Sequence, residues 1–146
     1  MTEQYKDALV LKRDAAQATL DHFSTRKFRL GHADCIRMAV FHLRKLGYKV
    51  ALPSTGSYAT IRSAQRELAK RGYKTVADAM DGLHLERISP AAALAGDIIE
   101  MPAEHPLGAL AVCVGNGRIV GWADDGGAAV LQPLEYAGVA WRAVPQ

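Results

Sequence analysis

The hydrophobic period of this chain changes once, near residue 89, and that change restricts the available folds more than any other feature. Before it, apolar residues recur at helical spacing. After it, they fall into short runs separated by glycine-containing turns.

In the first part, residues 12–25 predict a helix with Ala16, Leu20 and Phe23 on one face. Residues 33–46 predict a second, with Ala39, Leu43 and Leu46 turned to a core. A third spans 57–71, carrying the stripe Tyr58, Ile61, Ala64 and Leu68, and Thr75 can cap a short fourth through Met80. The endings LRKLGYKV and LAKRGYKT match, each placing a glycine, Gly47 or Gly72, where a helix stops in the left-handed conformation.

In the second part, SPAAALAGD (residues 89–97) supplies a cap, a proline at the first helical position and one or two turns. Strands are expected over 97–101, 107–114, 118–123, 128–132 and 139–144, with Gly115-Asn116-Gly117 and Asp124-Asp125-Gly126-Gly127 as turns. Helices followed by strands predict an α+β domain, its N-terminal helices packed on one face of an antiparallel meander of about five strands. No linker interrupts the chain, so residues 1–146 are expected to form one domain, with 1–27 as an N-terminal helical extension.

Several function classes drop out on composition. No apolar run approaches the roughly 18 residues of a membrane span. The opening MTEQYKDALVLKRD is charged and lacks the apolar core of a signal peptide, so synthesis in a cytoplasm is expected. Two cysteines, Cys35 and Cys113, cannot make a disulfide framework or a paired thiolate site, and neither metal nor cofactor is expected. Charge is uneven: residues 1–89 hold 16 Lys/Arg against 9 Asp/Glu, and residues 90–146 hold 2 against 6. A basic side and an acidic side suit stacking on charged neighbours.

Cys35 carries the chemistry. It falls at the first turn of the second helix, where the helix dipole favours a thiolate. Phe28-Arg29-Leu30-Gly31-His32-Ala33-Asp34-Cys35 resembles the entry to the nucleophile helix of NlpC-type cysteine peptidases, papain-like hydrolases of the cell wall. Gly96-Asp97-Ile98-Ile99 resembles their Gly-Asp strand, and Ala109 to Gly117 their next strand and Gly-Asn-Gly hairpin. A phage-associated branch is closer still, sharing Gly31 to Cys35, Gly56-Ser57-Tyr58, Gly96-Asp97, Ala109 to Val112 and Ala140-Trp141-Arg142-Ala143. The resemblance implies a papain-like NlpC-type fold and a virion tail component, partnered by other tail proteins.

It also implies where a base should stand. The family's His position is occupied by Ala109 and its third polar position by Gly121, neither with acid–base capacity. Other histidines offer substitutes. His42 follows Cys35 by seven residues, about 10 Å along the helix axis and out of reach. His32 lies on the loop side of Cys35. His105 precedes Ala109 by four residues and must fold back by roughly 13 Å to reach the strand's start.

Elsewhere, Arg62, Arg66 and Lys70 form a basic stripe on the third helix. It lacks the interleaved aromatics of a single-strand platform, so nucleic acid is not expected. Asp124 and Asp125 are too few for calcium. Trp122, Trp141 and Arg142 are candidate interface anchors. The sequence therefore points first to a structural tail-tip or tail-assembly protein on a degenerate hydrolase domain. The alternative is an active peptidoglycan endopeptidase with Cys35 as nucleophile and His105 or His32 as base. A weaker third reading is a module that binds peptidoglycan without cutting it.

Overall fold

The computed structural model describes residues 3–146, with side chains from residue 7 onward. Four α-helices come first: α1 Glu3–Phe23, α2 Cys35–Lys45, α3 Ile61–Lys70 and α4 Val76–Gly82. Six strands complete it: β1 Glu86–Ile88, β2 Ile98–Met101, β3 Ala109–Gly115, β4 Arg118–Gly121, β5 Ala129–Leu131 and β6 Ala140–Arg142. All pair antiparallel in the order β1-β6-β2-β3-β4-β5. The architecture is α+β.

The expected meander of about five strands needs two corrections. β1 is a sixth strand, and only β2 to β5 run as a simple meander. β6 returns across the molecule to lie between β1 and β2, pairing Arg87 with Trp141 and Ile98 with Trp141. β1 has no alternation to betray it: its three residues ERI are exposed or half-buried at a sheet edge.

The helix boundaries follow local chemistry. Asp34 caps α2 by accepting from the Arg37 N–H. Thr60 and Thr75 cap α3 and α4 with reciprocal capping boxes through Ser63 and Asp78. Tyr58 thus precedes α3 instead of lying in it. The matched endings of α2 and α3 are matched in space too: the Tyr48 and Tyr73 N–H groups reach back to the carbonyls of Leu43 and Leu68, both at 3.0 Å. Gly47 and Gly72 supply the required φ of +97° and +85°.

Helices α1, α2 and α4 pack on the sheet face that carries Ile98, Leu110, Val112, Val120 and Trp141. The opposite face, with Ile99, Ala111, Cys113, Ile119 and Ala140, is closed by Ala93 and Tyr136 from the connecting segments. Helix α1 begins well before residue 12 and contributes Ala15, Ala16, Thr19 and Phe23 to the interior.

One polar cluster ties these layers together. Asp97, fully buried at the head of β2, accepts from Lys12 of α1 at 2.5 Å and from Arg142 of β6 at 2.9 Å. It also accepts from the N–H groups of Leu94 and Ala143. Beside it, His42 Nε2 donates to the Gly96 carbonyl at 2.7 Å, and its Nδ1 lies 3.4 Å from Thr19 Oγ1, whose hydroxyl donates to the Ala15 carbonyl. Gly96 sits at φ +87°, and a Cβ there would stand 2.5 Å from Lys12 Cβ. The Gly-Asp pair therefore joins α1, α2, β2 and β6.

Two expected interface residues are accounted for here. Trp141 is 0% exposed and donates from Nε1 to Asp81, so it is core and not an outward anchor. Arg142 is bound to Asp97 and to the Ala92 carbonyl, which commits its guanidinium to the fold.

Candidate functional site

The approach to Cys35 is built by Gly31 and Asp34. Asp34 is 2% exposed and its carboxylate accepts from Gly31 N–H, Arg37 N–H and the Tyr58 hydroxyl at 2.9, 2.9 and 2.7 Å. Gly31 has φ +81°, and a Cβ there would fall 2.1 Å from the Tyr58 carbonyl oxygen. The Gly-x-x-Asp spacing and the later Gly-x-Tyr are thus two halves of one contact. Arg37 closes it, its guanidinium lying 5.5 Å over the Tyr58 ring and donating to the carbonyls of Pro53 and Ser54. Burial and the Asp34 carboxylate both hold the Tyr58 hydroxyl protonated.

Cys35 opens α2 and looks into a cavity of about 350 Å³. Its walls come from the 28–34 segment, α2, the irregular 49–53 segment, Tyr58, α3, α4 and the loop entering β3. Apolar surroundings desolvate the sulfur and push the thiol up to about 11. The backbone of Leu110 favours the thiolate, the Asp34 charge opposes it, and the helix-start backbone at Cys35 and Ile36 favours it. Desolvation wins. A helix N-terminus by itself does not make this a reactive cysteine.

Around the thiol the histidines fall as follows. Ala109 is the first residue of β3, one position from Leu110. Strand alternation places its Cβ on the side of Ala111 and Cys113, away from Leu110 and α2. A longer side chain there would have to curl around the strand's end to reach the sulfur. Gly121 is buried at the end of β4 and paired with Ala129. His42 is occupied in the Asp97 cluster. His32 is exposed, lies over Gly56 and does not line the cavity, so it is no partner for Cys35.

His105 is different. The loop between β2 and β3 brings His105 to the lining of the same cavity as Cys35. Its Nδ1 is buried with no hydrogen-bond partner. Among the described residues, no hydrogen bond joins Cys35 to either His105 or His32. Cys113 lies on the other sheet face, burial raising its thiol to about 12, and both cysteines are free.

Of the remaining candidates, Arg62, Arg66 and Lys70 are exposed along α3, and Lys70 shares Glu67 with Arg71. Trp122 is half-buried, donates to the Arg26 carbonyl and packs edge-on against Phe23 and the exposed Phe28. No group of three or more His, Cys, Asp or Glu able to hold a metal occurs among the described residues. No helix there is long and apolar enough to cross a membrane.

The Lys12–Asp97 pair was missed at the sequence level, although one signal existed. Lys12 falls in register with Ala15, Ala16, Thr19 and Phe23 on the buried stripe of α1, where a lysine requires a buried partner. The cavity had no comparable signal, because its walls come from segments scattered between residues 28 and 108.

No curated protein matches the chain significantly. Residues 11–143, from the middle of α1 to just past β6, match the family model described as "Domain of unknown function (DUF6950)". The match takes in Lys12, the Gly31 to Cys35 entry, the cavity walls and the Asp97 cluster, and the chain belongs to the DUF6950 family.

Proposed function

We propose that this protein is a structural component of a phage or prophage tail, a tail-tip or assembly protein built on a papain-like NlpC-type scaffold whose cysteine site is silent. The observation that carries the silent site is the state of Cys35. Burial pushes its thiol up to about 11, no hydrogen bond joins it to an imidazole among the described residues, and the sequence position where the resembling hydrolases carry a His is Ala109. A cysteine hydrolase needs the opposite: a thiolate paired with an oriented base.

The tail assignment rests on the resemblance of the Gly31 to Cys35, Gly96-Asp97 and Ala140 to Ala143 segments to phage-associated proteins. Contacts with neighbouring tail proteins would use surfaces the fold leaves free. These are Arg62 and Arg66 on α3, and the Phe28–Trp122 aromatic pair. In a phage carrying this gene, Cys35→Ala should leave particle yield and infectivity unchanged. The paired reversal Arg62→Glu/Arg66→Glu should lower assembled particles. Loss of infectivity with Cys35→Ala alone, in normally assembled particles, contradicts the proposal.

One observation favours a second reading. His105 lines the cavity of Cys35 with an unpartnered Nδ1, so a substrate-induced approach of the two would assemble a dyad for cutting cell-wall peptides. Release of peptides from purified peptidoglycan, lost in both Cys35→Ala and His105→Ala, would establish it.

A further inference from the structure

The cavity beside Cys35 has the size of a small-molecule site. Its walls are aliphatic, Val40, Val50, Leu52, Leu68, Met80 and Leu83 among them. The polar groups of its lining are already answered or out of reach. Asp34 is 2% exposed and accepts from Gly31 N–H, Arg37 N–H and the Tyr58 hydroxyl. The Tyr58 proton is committed to that bond, and Glu67 is held by Lys70 and Arg71. Nδ1 of His105 is buried. Asp34 and Glu67 balance Lys49 and Arg71, so the lining has no net charge. An ion placed there would give up its hydration for no free counter-charge, and a peptide backbone would leave its amides unbonded. A neutral hydrocarbon loses nothing. An engineered apolar cavity of about 150 Å³ stays dry and takes up benzene, and this one measures about 350 Å³.

One wall is held differently from the others. Residues 49–55 contribute Lys49 to Pro53 to the lining, yet among the described residues none of their N–H groups makes a backbone hydrogen bond. Their carbonyls are gripped from α2 instead. Arg44 donates to Val50 at 2.6 and 3.0 Å, and Arg37 to Pro53 and Ser54 at 2.6 and 3.2 Å. Gly47 and Gly56, at φ +97° and +82°, flank the segment. A wall fastened by two side chains and its own apolar underside lifts at far smaller cost than a helix or a strand.

We propose that this cavity binds a neutral, apolar small molecule, admitted when the 49–55 segment lifts from α2. Burial alone holds the ligand. Nothing covalent is involved, and Cys35 forms part of the wall. The site is independent of the tail role, which requires no ligand, so failure of one leaves the other standing.

The test titrates the full chain by calorimetry with decanol, decanoate and decylammonium, which share one hydrocarbon chain and differ at its end, each kept below its solubility or micellar limit. Decanol should bind saturably, one per chain, and each ion at least about tenfold more weakly. Amide hydrogen exchange in peptides covering 49–55 should slow several-fold with decanol bound, while the exposed turn at 124–127 is unchanged. Leu68→Trp narrows the space and should abolish decanol binding, its unfolding midpoint showing whether the fold survives. The comparison of the three compounds is made on the wild type and stands even if that variant does not fold. No saturable decanol binding overturns the proposal. So does either ion binding as tightly as decanol, which would require a charged group to meet it. Unchanged exchange in 49–55 overturns the route of entry. A concentration-dependent dimer in sedimentation that decanol disperses would show a second copy covering the cavity, and would overturn the small-molecule assignment.

Discussion

Replacing Asp97 by Asn preserves the shape of the side chain and removes its charge, a test of what holds the helical layer to the sheet. Asp97 is fully buried and accepts four hydrogen bonds, from Lys12, Arg142, Leu94 N–H and Ala143 N–H. An amide has one acceptor oxygen, so its NH2 group would confront donors at the other position. Lys12 is 4% exposed and would keep a buried ammonium without a counter-charge, whereas Arg142 is 25% exposed and can turn to water. Removing one member of a buried pair costs about 3–5 kcal/mol. A domain of this size has a total stability of about 5–15 kcal/mol. The midpoint of thermal unfolding should therefore fall by about 6–20 °C. Lys12→Met should cost less, because Asp97 keeps Arg142 and both N–H groups. The double variant Lys12→Met/Asp97→Asn should be more stable than Asp97→Asn alone, since no orphan ammonium remains. Urea unfolding followed by far-ultraviolet circular dichroism gives all four corners of the cycle. An Asp97→Asn cost below about 1 kcal/mol, or strictly additive single effects, would refute the reasoning.

Two further predictions concern neighbouring groups. Burial holds His42 below its ordinary value of 6.5, the Gly96 carbonyl only partly offsetting this, so the unfolded chain takes up a proton first as pH falls. Stability should be full above about pH 6.5 and decline from there toward the lowered folded value, a slope in urea midpoint that His42→Gln should flatten. Tyr58→Phe removes the hydroxyl donated to Asp34 and leaves Gly31 and Arg37 N–H in place. It should cost about 1.5–3 kcal/mol in urea unfolding, the range for a bond to a charged acceptor, and a cost near zero would mean that Asp34 does not depend on it.

The fold class and most elements were legible because they rest on local chemistry. The Asn116-Gly117 turn forms with φ of +56° and +73° as its residues require. The caps at Thr75 and the stops at Gly47 and Gly72 act where their residue types place them. What was not legible depends on distant pairing. β1 exists because β6 supplies an edge for Glu86–Ile88, three residues with no pattern of their own. Trp141 reads equally as an anchor or as core until Asp81, 60 positions away in sequence, is found bonded to its indole. His105 could be placed only by the path of a loop, and the strand distance that argued against it assumed an extended chain. At Cys35 the helix position was legible, and the state of the thiol was left open. The dipole favours a thiolate, but apolar walls from α3, α4 and the 49–53 segment outweigh it, and those walls are brought together only by folding.

The central claim is that Cys35 is an unactivated thiol, and its alkylation rate against pH tests this most directly. Peptide mapping of the folded protein separates Cys35 from Cys113, and His105→Ala is run in parallel. With the thiol pushed up to about 11, the rate should rise about tenfold per pH unit from 7 to 10 without a plateau, and His105→Ala should not change the profile. A plateau with an apparent pKa below 8, abolished by His105→Ala, would establish a working dyad and contradict the account.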